Sequence, residues 1–101
     1  VTLRILSLAE ADLLDGFRFY EGQGGGVSWY FLESLTSDIE SLRLYAGTHR
    51  RVFGYHRMLS KRFPFAIYYD LRRGEIRVWR VLDCRRDPRW LKLQLTRSRK
   101  L

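Results

Sequence analysis

His49 and His56 are the only histidines in this 101-residue chain, and so the only side chains whose ordinary pKa lies close to neutrality. His56 is followed closely by Arg57, Lys61 and Arg62. An imidazole beside cations is a minimal kit for acid–base work on a phosphate. The ring moves the proton and the cations hold the charge that develops. The competing reading is a histidine at a surface or strand edge. A larger basic set, Arg50, Arg51, Arg57, Lys61, Arg62, Arg85, Arg86, Arg89 and Lys92, allows two chemistries. It can track phosphates, with the salt dependence of counterion release. It can equally meet the carboxylates of an acidic protein segment.

Other chemistries find little support. Cys84 is the only cysteine and has no evident base partner, so a small packed thiol is expected rather than a nucleophile, and no internal disulfide can form. One cysteine and two histidines without a carboxylate cluster do not make a metal site, and no metal or cofactor is expected. Gly22-Gln23-Gly24-Gly25-Gly26 lacks the Gly-Lys-Ser/Thr ending of a phosphate loop and reads as a hinge. No apolar run approaches the roughly 20 residues of a membrane span. Val1 to Glu10 has no basic segment followed by a long apolar one. A soluble protein of the reducing cytoplasm, with no membrane partner, is the expectation.

The charge is unevenly placed. The net charge is +8, with a balance of −4 over residues 1–48 and +12 over residues 49–101. A cationic second half suggests a polyanionic or acidic partner.

The elements that must position these groups follow from periodicity. Thr2 to Leu6 suits a short strand. Ser7 and Glu10 fit a capping box, and Ala9, Leu13, Phe17 and Tyr20 form a helical stripe. The glycine run ends that helix. A second helix is predicted from about Ser28 to Ala46 through Phe31, Leu35, Ile39 and Leu42, with Gly47 closing it. A strand is expected within Val52 to Ser60. Phe65, Ile67, Tyr69 and Leu71 then alternate as a strand, Arg73-Gly74 makes a tight turn, and Glu75 to Asp83 returns. Pro88 ends the last strand, and the tail from Arg89 is a short helix or irregular.

These elements give one α+β domain over residues 1–101. An N-terminal strand and a two-helix hairpin pack on one face of an antiparallel sheet, in the order β-α-α-β-β-β. The helices are expected to cover Phe65, Ile67, Ile76, Val78 and Leu82. Ala66, Tyr68, Arg77, Trp79 and Val81 fall on the other face. Arg80 lands on the inward set by strict alternation, so it either snorkels at the rim or marks a bulge. A Tyr68-Trp79-Val81 patch left bare suggests a docking site. Alternatively Trp79 packs under Trp90 and Leu91.

One ordered set of residues resembles a known family. It comprises Arg62-Phe63-Pro64-Phe65-Ala66-Ile67-Tyr68-Tyr69, then Val78-Trp79-Arg80-Val81-Leu82, then Arg85-Arg86-Asp87-Pro88. This resembles the second half of the RelE/ParE toxins of type II toxin–antitoxin systems. Ala9, Asp12-Leu13-Leu14, Phe17, Tyr20-Glu21 and Phe31-Leu32 resemble its helical first half. The resemblance implies the same fold and a toxin that inhibits a core process of the bacterial cell until a cognate acidic antitoxin binds it in a hetero-oligomer. The target is DNA gyrase in some members and messenger RNA on the ribosome in others. The nucleases of the family carry arginine on the central strand and tyrosine or histidine near the C-terminus. Here Ala66 stands at the former place, Asp83 stands where many relatives have histidine, and Lys92 falls near the place of the tyrosine. Arg86 alone fits. The resemblance therefore favours a binding toxin of ParE-like or unassigned target. A ribosome-dependent RNA endonuclease using Arg86 with His56 or Lys61 is the alternative, and a non-toxic nucleic-acid-binding module is the third. Nucleic-acid or target contact is expected at Arg57, Lys61, Arg62, Arg85, Arg86 and Arg89, and antitoxin contact at Tyr68, Arg77, Trp79 and Val81.

Overall fold

The computed structural model describes residues 1–100. β1 (Thr2–Ile5) leads directly into α1 (Ser7–Glu21). Then come α2 (Val27–Glu40), a one-turn α3 (Leu42–Tyr45), β2 (Arg51–Val52), β3 (Tyr55–Leu59), β4 (Phe65–Arg72), β5 (Glu75–Asp83) and α4 (Pro88–Ser98). The five strands form one sheet in the order β1-β5-β4-β3-β2. Pairing is antiparallel from β2 to β5, while β1 lies parallel to β5. The α+β architecture is the expected one, on a mixed rather than purely antiparallel sheet. Among the described residues no helix is long and apolar enough to cross a membrane, and no group of three or more potential metal ligands forms.

Local deviations from the sequence reading have physical causes. Ser7 does not cap α1; the cap position is Leu6, without a side-chain bond. The Leu6 N–H instead donates to the Val78 carbonyl, so β1 pairing carries the chain straight into the helix. The predicted second helix breaks at Ser41, whose hydroxyl donates back to the Asp38 carbonyl. The single strand expected within 52–60 is a hairpin, β2–β3, turned at Phe53-Gly54. The glycine loop reverses the chain between α1 and α2, and Ser28 closes it by donating to Glu21.

Two cores sandwich the sheet. Ala9, Leu13, Phe31, Leu35, Ile39 and Leu42 pack on Phe65, Ile67, Tyr69, Ile76, Val78 and Val81 on one face. On the other, α4 lays the fully buried Leu95 onto Tyr55, Ala66, Tyr68 and Leu82, with Trp79, Trp90 and Leu91 around it. The tail beyond Pro88 is therefore a structural layer. Asp87 caps α4 by accepting the Arg89 N–H at 2.8 Å, and Pro88 occupies the first turn, where its missing N–H costs nothing.

Candidate functional site

The sheet register shifts between Tyr68 and Tyr69: Tyr68 faces Arg80 while Tyr69 faces Val78. Trp79 is the extra residue of a β-bulge, which reverses the alternation beyond it. Val81 consequently sits in the α1/α2 core, 1% exposed, and Leu82 lies under α4. Both are opposite to the faces expected by strict alternation. Val81 cannot belong to a surface patch, and Tyr68, 2% exposed, is roofed by α4. Trp79 is half-buried against the same core, with its indole N–H buried and unpaired. Of the four residues assigned to antitoxin contact, only Arg77 and the rim of Trp79 reach the surface. Arg77 donates to both oxygens of Asp70, at 2.9 and 2.7 Å, and its guanidinium lies 5.2 Å from the Trp79 ring centre.

The bulge also explains Arg80. Its side chain leaves the β5 edge beyond the last β1 pairing and donates to both oxygens of Asp12 on α1, at 2.7 and 2.9 Å. It also donates to Gln94 and Ser98 on α4, at 3.1 and 3.2 Å. Asp12 accepts the Val81 N–H at 2.9 Å, a backbone donor that β1 is too short to satisfy. Burial pushes the Asp12 carboxyl up from its ordinary value, while Arg80 and the Val81 N–H pull it back. Arg80's inward position was visible in the sequence; its partner was not. Around this pair a groove opens between α1, the β5 edge and α4, lined by Asp15, Phe19, Asp83, Arg86, Trp90 and Gln94.

The residues assigned to target contact gather at one end of the sheet. Lys61 and Arg62 lie in the β3–β4 loop and Arg85 and Arg86 in the β5–α4 loop, and the Cys84 N–H joins the two loops through the Pro64 carbonyl at 2.8 Å. Arg89 opens α4, and Arg57 lies opposite Tyr68 on β3. Arg85 chelates Asp83 with bonds of 3.0 and 2.7 Å and holds that carboxyl below its ordinary range. Arg86 stacks on Trp90 at 3.7 Å. Cys84 is exposed rather than packed. Partial desolvation raises its thiol above the ordinary value, which disfavours the thiolate.

The nuclease candidates do not converge. His56 faces Tyr69, which faces Val78, and Arg86 follows Asp83 at the far end of β5. Strand geometry separates the backbones of His56 and Arg86 by roughly 20 Å. Lys61 shares the Arg86 end, with its backbone N–H held by Asp38 at 3.3 Å. Nor does the chain supply the missing arginine: Ala66 is fully buried beneath α4. His56 is instead part of a tether for the loop ahead of β2. Its ring stacks on Tyr69, and its Nδ1 lies 2.8 Å from the His49 carbonyl. The Tyr69 hydroxyl accepts the Gly47 N–H at 2.9 Å and lies 2.5 Å from His49 Nδ1.

No family model and no curated protein matches the chain. Among solved structures it is similar to a chain of the "Chromosomal ParDE TA system from P. aeruginosa", with a TM-score of 0.72 and 20% sequence identity. The match covers 80% of this chain and 92% of that one. The fold implied by the RelE/ParE resemblance is thus the fold this chain adopts.

Proposed function

We propose that this chain is the toxin of a type II toxin–antitoxin pair, acting by binding a target of the bacterial cell rather than by cutting RNA, with a ParE-like target such as gyrase as the first choice. The observation that carries the reading is the occupation of the second sheet face. Where a nuclease of this fold class needs cationic and proton-transferring groups, Ala66, Tyr68 and Leu82 are sealed under Leu95. Arg86 stands apart from His56, and the carboxylates beside it are engaged elsewhere, Asp83 by Arg85 and Asp87 by the Arg89 N–H. What the surface offers is recognition chemistry: the basic end bearing Lys61, Arg62, Arg85, Arg86 and Arg89, with Arg57 leading to it. This surface suits an acidic target or antitoxin segment, and Arg77 and the Trp79 rim, nearer the other end of β5, offer the antitoxin a separate contact.

Induction of the chain in bacterial cells, with messenger RNA ends and the DNA-damage response scored together, tests the reading. Growth arrest with intact messenger RNA is expected, reversed by coexpression of a small acidic protein encoded beside the gene. Purified gyrase should lose supercoiling activity on plasmid DNA when the chain is added. Cleavage ends spaced by codons would instead identify the ribosome-dependent endonuclease, and normal growth the non-toxic binding module.

A further inference from the structure

The opposite end of the sheet holds a feature that the toxin reading does not use. The register of His56 with Tyr69 brings two tight turns side by side, Phe53-Gly54 between β2 and β3 and Arg73-Gly74 between β4 and β5. Both turns have positive φ at their two central residues: 52° at Phe53, 85° at Gly54, 52° at Arg73 and 77° at Gly74. Asn, Asp or Gly suits the first of these positions, whereas a bulky aromatic residue is a backbone outlier there. Phe53 is held there nonetheless, with its ring half exposed. The Gly54 carbonyl behind it accepts from Arg51 at 3.2 Å and from Arg99 at 2.8 Å, and the Lys92 ammonium lies 6.0 Å from the ring centre.

A groove continues from this tip, lined by Arg51, Arg72, Arg77 and Arg99, with Asp70 as its one carboxylate. Arg77 takes up Asp70 through two hydrogen bonds and Arg99 lies 3.7 Å from the same carboxylate, so the groove's four guanidiniums share one negative charge. Glu75, opposite Arg72, is engaged on its other side by Arg4 at 3.3 Å. Fixed cations around an exposed, rigidly presented aromatic ring match what unpaired nucleic acid requires. The cations follow the phosphates, and the ring stacks an unstacked base of any identity. An acidic peptide would use the guanidiniums but gives no reason to hold a phenylalanine ring at a costly φ.

We infer that this hairpin-tip end is a docking site for single-stranded nucleic acid, with the phosphodiester backbone on Arg51, Arg72 and Arg99 and one base on Phe53. The inference rests neither on the toxin reading nor on its basic end; Arg77 and Trp79, which that reading offers to the antitoxin, line the same groove but carry none of the contacts assigned to the nucleic acid. It is tested by the fluorescence anisotropy of short labelled single-stranded DNA and RNA oligonucleotides titrated with the full chain at several salt concentrations. Phe53→Asn relaxes the turn, so folding is preserved while the ring is lost, and affinity should fall by about fivefold or more, as for loss of one base–aromatic stack. Arg51→Gln and Arg72→Gln should each reduce the slope of log affinity against log salt by about 0.7. The inference fails if Phe53→Asn binds the oligonucleotides as the wild type does, or if polyglutamate binds the wild type as tightly as they do. Absence of oligonucleotide binding at low salt also overturns it.

Discussion

The guanidinium of Arg80 touches α1, β5 and α4 at once, through Asp12, Gln94 and Ser98. Taking one charge from such a pair strands the other in the interior, which costs about 3–5 kcal/mol, whereas replacing both by apolar groups is close to neutral. Asp12→Asn should therefore lower unfolding stability in urea by about 3–5 kcal/mol. Asp12→Leu combined with Arg80→Met should recover part of that loss. The remainder, about 1–3 kcal/mol, is the Val81 N–H left without an acceptor. A single variant within about 0.5 kcal/mol of the wild type would mean that the pair holds nothing together. His49 allows a pH prediction. The Tyr69 hydroxyl accepts the Gly47 N–H and lies 2.5 Å from His49 Nδ1, which can accept the hydroxyl proton when it carries none of its own. Desolvation, then the neighbouring His56, lowers the His49 pKa from its ordinary 6.5. Below that value the unfolded chain takes up a proton that the folded ring resists. The stability due to His49 is thus complete above about pH 6.5 and lost as pH falls through the lowered folded value. Thermal melts across pH 5 to 8 should show this decline, and His49→Gln should flatten it. An unchanged slope in that variant would remove the assignment.

Gly16 decides how closely the two long helices approach. A Cβ built there would lie 2.4 Å from Phe31 Cζ, inside a core of interlocking rings that includes Tyr20, Phe63 and Phe65. In an open helix, glycine to alanine gains about 1 kcal/mol. Here the sign should reverse: Gly16→Ala should cost about 1–3 kcal/mol by overpacking, read as a lower urea midpoint with unchanged slope. A stabilised variant would show that Phe31 has room to move. Strongly periodic elements were legible in the sequence. The stripe through Phe31, Leu35, Ile39 and Leu42 lies in the core; of Ala9, Leu13, Phe17 and Tyr20, the first two are core, Tyr20 packs against it, and Phe17 lies outside it against Trp29. What could not be read depends on tertiary registration. Nothing local marks Trp79 as an extra residue, so strict alternation placed Val81 and Leu82 on exchanged faces. The β2–β3 hairpin was hidden because Phe-Gly is not a turn dipeptide by composition and β2 is two residues long. α4 was ambiguous because its buried side is thin: Leu95 is its one fully buried apolar side chain, while Trp90 and Leu91 are partly covered and Leu93 is exposed.

At the scale of the molecule, the charge split read from the sequence becomes a geometric one. Seven of the chain's eleven acidic residues lie in residues 1–48, all of them on α1 and α2, and the cationic second half builds the sheet's two ends and α4. The proposed toxin reading turns this polarity into a kinetic expectation. An acidic antitoxin approaching the Lys61, Arg62, Arg85, Arg86 and Arg89 end is steered over distances near the Debye length, about 8 Å at physiological ionic strength. Its dissociation, in contrast, depends on short-range contacts that salt screens little. Stopped-flow association of the purified chain with its proposed acidic antitoxin should slow at least tenfold between low and high salt, while the dissociation rate changes little. Neutralising Arg85, Arg86 and Arg89 together should remove most of the salt dependence of association. Arg80, buried with Asp12, should contribute none. An association rate indifferent to ionic strength would mean that the basic end does not face the antitoxin and that recognition rests on apolar contact elsewhere.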